Sequence, residues 1–391
     1  MAGAEREEDV AAAPPESCCV GLMLGCALGD AIGYPHEGAP AEQAAAAAAA
    51  MDADVASIAK NPDYGQYTDD TQSTRTLVQS IIACGGAFSP PDFMGRLGRL
   101  AAHGGILGMG GTTKSSLERF LGGTPWQEAA AGLVRPSNGS AMRTGPIGLL
   151  HWREENAASC ARDARLQSQV THKDPLSQSG AVAVSLAVAH ACRSAGADFP
   201  VAKLAADLTA YAVHVEPPLD LGELLLRMHA APSMDAAFAM LPREPATYVT
   251  STSAWPIGTY VTRAVMWSLY TFVRTPHDFW CTVSNAIRVG GDTDTVAAMA
   301  GAISGAFNGP EGIYNCDHTA AGAVAVINRL SDASAPEGAP KDAGQLMQLG
   351  RDLRRAIIQR SVAARRRRTL GGLAAVAAVA CVVLPWLGGR N

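Results

Sequence analysis

From Cys18 onward, apolar residues recur at the three-to-four-residue spacing of a helix face, with Gly, Pro and Asn breaks between one run and the next. The runs fall at about 18–32, 70–84, 90–103, 114–121, 178–195, 200–214, 219–230, 257–273, 277–288 and 294–307. Period-2 alternation, the mark of a half-buried strand, is almost absent. The pattern predicts an all-α chain, a compact orthogonal multi-helix domain over residues 18–330. With 48% hydrophobic residues in a chain of 391, such a domain buries its core without a staple. Forty glycines beside 6% aromatics favour helices that approach closely through small residues.

The ends read differently from the body. Residues 1–17, with Glu5, Glu7, Glu8 and Asp9, lack the basic start and apolar run of a secretory signal and are expected to be a flexible leader. Residues 331–344, rich in Ala, Pro, Asp and Gly, read as a linker. A basic helix is expected at 345–368, ending in Arg365, Arg366, Arg367 and Arg368. The uncharged run Thr369–Leu387 approaches the roughly 20 residues that cross a bilayer core. Arginines on its near side and Trp386 at its far end predict a tail anchor in an intracellular membrane with the body in the cytosol, although an apolar helix docked on the body fits the same residues.

Charge divides the same way. Residues 341–391 hold ten Lys/Arg against two Asp/Glu, so the net charge of -5 conceals a strongly acidic body. That body argues against general nucleic-acid binding, which needs a basic face. The nine cysteines lack CxxC spacing and sit mostly in apolar runs, as expected of buried, reduced thiols. Nothing in the sequence sets the oligomeric state, and a monomer is the default expectation.

Two acidic clusters, Thr68-Asp69-Asp70-Thr71 and Asp292-Thr293-Asp294-Thr295, each stand just before an apolar-periodic run, the second after Gly290-Gly291. Adjacent carboxylates repel unless solvated or neutralised, and oxygen-only sets of Asp and Thr suit a hard cation such as Mg2+. The competing reading is that each cluster simply caps its helix, acids being favoured at a helix N-terminus.

Three further segments decide between these: Gly25-Cys26-Ala27-Leu28-Gly29-Asp30-Ala31-Ile32-Gly33 followed by Glu37, Asn138-Gly139-Ser140-Ala141-Met142-Arg143, and Thr171-His172. With the acidic clusters, and in this order from about Val20 to Gly309, they resemble the ADP-ribosylglycohydrolase family, which includes dinitrogenase reductase-activating glycohydrolases and ADP-ribosylarginine and ADP-ribosylserine hydrolases. The resemblance implies an all-helical fold with two Mg2+ ions, Mn2+ being a substitute, at the base of a cleft. It implies Thr68, Asp69 and Asp70 as ligands from one side and Asp292, Asp294 and Thr295 from the other. Glu37 falls where the family has a glutamate near the metals, a residue to position or deprotonate the attacking water or to serve as a gated ligand. Asn138, Gly139 and Ser140 match a loop along the diphosphate and distal ribose, with Met142 beside the sugar. Gly108 and Gly110 match a second glycine-rich loop, and His172 a histidine near the nucleotide. Asp30 is expected to brace the opening helix. A Walker A reading fails because Thr113, not Gly, precedes Lys114.

The implied reaction is hydrolysis of the bond between C1 of the distal ribose and a modified group, most simply a protein side chain, through an oxocarbenium-like state. Arg135-Pro136-Ser137 departs from the aromatic loop of the serine-linkage hydrolases, which leaves the linkage open. The other function class is an ADP-ribose-binding or scaffold protein at a membrane. Intact acidic clusters and Glu37 weigh against it.

Overall fold

A computed structural model describes residues 11, 13–212, 219–315 and 320–387, the side chains of residue 320 and of 368–387 excepted. Residues 1–10, most of the expected leader, lie outside the described residues. Every regular element among those described is helical, with isolated bridges at Gln66–Ser331 and Ser137–Tyr260. The helices that build the site and its support are α1 (Glu16–Gly33), α2 (Ala41–Ala53), α3 (Asp69–Ala83), α4 (Gly111–Leu121), α5 (Ala157–Gln169), α6 (Pro175–Arg193), α7 (Val261–Arg274), α8 (Phe279–Ile287), α9 (Thr293–Tyr314) and α10 (Ala343–Leu387).

Two of these, α1 and α9, run antiparallel through the centre with their backbones touching. Gly21, Gly25, Gly29 and Gly33 form a stripe at four-residue spacing on α1, which meets Gly305, Gly301, Ala297 and Thr293 of α9 in turn. A Cβ on Gly25 would stand 2.2 Å from the Gly301 carbonyl oxygen, and one on Gly29 2.0 Å from that of Ala297. No side chain fits, so the small residues set the interaxial distance. This crossing also places the C-terminal turn of α1 against the first turn of α9, and so Asp30 beside Asp294.

Around the pair, α3, α6, α7 and α8 bury their apolar faces, and Trp267, Tyr270 and Trp280 are core residues. Trp255 instead lies half-exposed against Gly38. Helices α2 and α5 escaped the periodicity reading. The first is a near-continuous alanine run with no polar face to set a period, and the second is a mostly polar stretch with few apolar markers.

The segment after residue 330 lies along the body. Asp332 pairs with Arg75 at 2.9 Å, both fully buried, and Pro340 O accepts from Tyr67 Oη at 3.0 Å. Helix α10 then begins, burying Leu346, Leu353, Ile357 and Ile358 against α1 and α3. Its arginines hold the body as well, Arg354 donating to Pro14 O and Arg360 to Gly86 O, each at 3.0 Å. The backbone of α10 continues without a break through the uncharged run to Leu387. Among residues whose side chains are described, the stretch long and apolar enough to cross a membrane is Glu16–His36, which is the buried central helix; the uncharged run 369–387 lies outside those residues.

Candidate functional site

Both acidic clusters open helices, and neither is used as a cap. Thr68 is the N-cap residue of α3 and Asp292 that of α9, yet neither side chain accepts from a backbone amide of the helix's own first turn. Thr68 Oγ1 donates instead to Asp30 Oδ1 at 2.9 Å, and Asp292 Oδ2 accepts from Asn138 Nδ2 at 2.6 Å. Asp30, fully buried at the end of α1, also accepts from the Thr68 and Thr71 amides at 3.0 Å and from Thr71 Oγ1 at 2.6 Å. Its two oxygens thereby lock the turn that presents Asp69 and Asp70. The brace expected of Asp30 is thus a direct one, reaching across to another helix.

The second turn depends on glycine. Gly290 and Gly291 have φ of 77° and 99°, and a Cβ on Gly291 would stand 2.0 Å from the Ile257 carbonyl oxygen. That close approach brings the Asp292 amide to Ile257 O at 2.8 Å, while Gly291 O receives the Gly38 amide at 2.8 Å and holds the Glu37 turn. Asp69 is fixed from a third side, its own amide on Leu107 O at 2.8 Å and its carboxylate against Gly108 and the Gly110 amide.

Carboxylate oxygens of Asp30, Asp70 and Asp294 lie within 4.8 Å of one another, as do those of Glu37, Asp292 and Asp294. Burial, then the charges of Asp30, Asp292 and Glu37, push the Asp69 carboxyl up to about 8. Asp70 and Asp294 rise well above the carboxylate range for the same two reasons, burial first. Burial, then the Asp292 charge, raises Glu37, and burial raises Asp292 against the opposing bond from Asn138. Asp70 Oδ1 is buried with no hydrogen-bond partner among the described residues. An oxygen-only set this crowded, with one oxygen left unpaired, fits a hard divalent cation, which supplies the missing positive charge.

These acids floor a cavity of about 400 Å³, large enough for a nucleotide-sized ligand. Glu37, Asp69, Gly108, Gly110, Asn138, Gly139, Met142, His172, Asp292, Asp294 and Thr295 all line it. Thr68 and Asp70 lie just behind the lining, both buried. Ser140 is elsewhere: its side chain is fully buried, with Oγ 2.8 Å from Ser168 Oγ. Thr112, Thr113, Arg135, Ser137, Tyr248, Thr250, Ser251, Thr252 and Thr259 also line the cavity. Sequence reading met Arg135 and Ser137 only as a departure from a family loop, and it passed over the Thr/Ser-rich stretch from Tyr248, which carries no period and no acid; its only signal was an unusual density of hydroxyls.

Comparison with known proteins gives this arrangement its class. Residues 12–339 match the family model described as ADP-ribosylglycohydrolase. The chain belongs to the ADP-ribosylglycohydrolase family, glycosyl hydrolases that act on ADP-ribose. Among its relatives, ADP-ribosylhydrolase ARH3 of Mus musculus is 28% identical over 319 residues, covering 74% of this chain and 84% of that protein. ARH3 of Homo sapiens is 27% identical over 74% of this chain and 85% of its own length. An uncharacterized protein of Archaeoglobus fulgidus is 28% identical over 73% of this chain and 85% of its own. A solved structure titled ADP-ribosylglycohydrolase-related protein complex matches the fold with a TM-score of 0.58 at 22% identity, over 88% of this chain and 98% of that one.

Proposed function

We propose that the protein reverses ADP-ribosylation, hydrolysing the bond between C1 of the distal ribose and a protein side chain with the help of two Mg2+ ions, for which Mn2+ can substitute. The observation that carries this reading is the convergence of two helix-opening acid turns, unused as caps, on the floor of one nucleotide-sized cavity. Thr68, Asp69 and Asp70 from α3 and Asp292, Asp294 and Thr295 from α9 would hold the ions. Bound there, the metal supplies positive charge that orients the ribose hydroxyls and acidifies water.

The chain's own residues do the rest. Asp30 and Asn138 hold Asp70's turn and Asp292 in place, so the acids need not reorganise as charge develops on the sugar. Glu37 is the exposed member of the cluster, its carboxylate beside those of Asp292 and Asp294 on the cavity floor, where it can accept a proton from the attacking water. Water adds to C1, the bond to the side chain breaks, and the departing group leaves with a proton. The glycine-rich segments at Gly108–Gly111 and Asn138–Gly139 let backbone approach the diphosphate.

The uncharged run 369–387, following four arginines, supports a tail anchor that holds this activity at the cytosolic face of an intracellular membrane. The scaffold reading has no observation in its favour, since every expected acid is present and converges.

The test is release of free ADP-ribose from arginine-modified and serine-modified protein by the full chain in detergent, with magnesium, with a chelator and as Asp292→Ala. Release that requires both the metal and Asp292 is expected, and the substrate that reacts identifies the linkage. Binding of ADP-ribose without release would replace the hydrolase with the scaffold.

A further inference from the structure

Behind the Gly139 wall of the cavity, a line of buried polar side chains ends on His172. Arg143 is fully buried beneath the Phe93 ring, 5.3 Å from its centroid. It donates from Nε to Gln167 Oε1 at 2.7 Å and from Nη2 to Thr171 Oγ1 at 2.6 Å. Gln167 Nε2 donates in turn to Ser140 O at 2.9 Å. Thr171 Oγ1 stands 2.7 Å from His172 Nδ1.

The proton positions follow from what each group can do. A guanidinium only donates, so Arg143 occupies one lone pair of Thr171 Oγ1. The hydroxyl has a single proton, and its only neighbour among the described residues able to accept it is His172 Nδ1. That nitrogen is therefore the unprotonated one, and the ring proton sits on Nε2. Nε2 has no protein partner among the described residues, in a side chain that lines the cavity. It lies beside Gly139, where a Cβ would come within 3.2 Å of it.

We infer that Thr171 and Arg143 are positioning residues that fix the tautomer of His172, so that the histidine expected beside the nucleotide faces the cavity as a neutral Nε2–H donor and meets an acceptor atom there. The inference rests on the reading of the cavity as an ADP-ribose site. Burial, with the Arg143 charge behind it, drives the imidazole pKa down to about 3, which keeps the ring neutral. The residue is also pinned along its backbone, His172 N donating to Ser168 O at 2.7 Å and Ser168 Oγ to His172 O at 3.1 Å. Held this way, His172 recognises ligand and takes no part in moving the reaction's protons. Arg143 and Thr171 act through it and are positioning residues. A phosphate or ribose oxygen, or an unprotonated ring nitrogen, gains a bond here, whereas an amine would meet donor against donor.

The test is to label the full chain, in detergent, with 15N in its histidine rings and read the His172 tautomer by long-range proton–nitrogen correlation, assigning the signal by its loss in His172→Gln. Wild-type protein without ligand is expected to carry its proton on Nε2. Thr171→Val keeps the shape and removes the hydroxyl; it should move the proton toward Nδ1 and weaken ADP-ribose binding, measured by calorimetry, about tenfold, the size of one lost hydrogen bond. Thr171→Ser should restore both. A wild-type ring protonated on Nδ1, or a Thr171→Val protein with unchanged tautomer and affinity, overturns the inference. If Thr171→Val does not fold, the wild-type spectrum decides alone. Failure of ADP-ribose to bind the wild type would instead remove the functional reading while the tautomer is still read directly.

Discussion

Replacing Gly25 by alanine tests the central claim about this fold, that two helices in backbone contact set the geometry of the acids. In an open helix the change would stabilise the protein by about 1 kcal/mol, since glycine is the poorer helix former. Here the new Cβ would lie 2.2 Å from the Gly301 carbonyl oxygen, more than 1 Å inside ordinary contact, and the obstacle is backbone that no rotamer change can move aside. Overpacking of this kind costs about 1–3 kcal/mol, and a rigid neighbour puts it at the upper end, so the net expectation is a loss of about 2 kcal/mol. Gly95, also helical, has only Arg99 Nη1 near its added Cβ, at 3.7 Å, so Gly95→Ala should gain about 0.5–1 kcal/mol. Urea unfolding followed by circular dichroism gives both midpoints at constant slope. ADP-ribose release by Gly25→Ala should fall further than its folded fraction, because the crossing spaces Asp30 from Asp294. A Gly25→Ala protein as stable as wild type, or the two substitutions shifting stability in the same direction, would refute the reasoning.

Three other outcomes follow from the same structure. Arg75→Ala strands the buried Asp332 carboxylate and should cost about 3–5 kcal/mol in the same unfolding experiment; a loss below about 1 kcal/mol would mean that residues 331–340 are not pinned by this pair. The Asp69 carboxyl, raised to about 8, favours the folded state below the usual carboxylate range and ceases to as pH climbs through 8, while a divalent cation favours the ionised form. The rise in Tm on adding magnesium should therefore grow between pH 5 and pH 8, and a rise that shrinks over that range contradicts a metal site at these acids. Fusion of residues 341–391 to a fluorescent protein should direct it to an intracellular membrane; a diffuse signal would remove the tail anchor.

The helical class was legible because buried helix faces repeat every three to four residues; α1, α3 and α6 begin and end within a few residues of where the apolar runs place them, while α9 begins where its run does but continues to Tyr314 past a kink at Gly309. Helix α2 was not, because an unbroken alanine run has no face to read. The acids were legible as residue types. Whether Thr68 or Asp292 caps its helix or turns away from it depends on where Asp30 and Asn138 sit in space, on partners 38 and 154 residues distant.

By itself, then, the sequence determined the fold class, the two acid turns and the glycines that mark close approach, since each is a property of local spacing and residue type. Only the tertiary structure decided that the acids share one floor, that Ser140 leaves the cavity while Tyr248 and its neighbouring hydroxyls line it, and that helix α10 docks before it continues. Those facts depend on distances between segments remote in the chain, and a one-dimensional pattern holds no record of the crossing of α1 and α9 that fixes them.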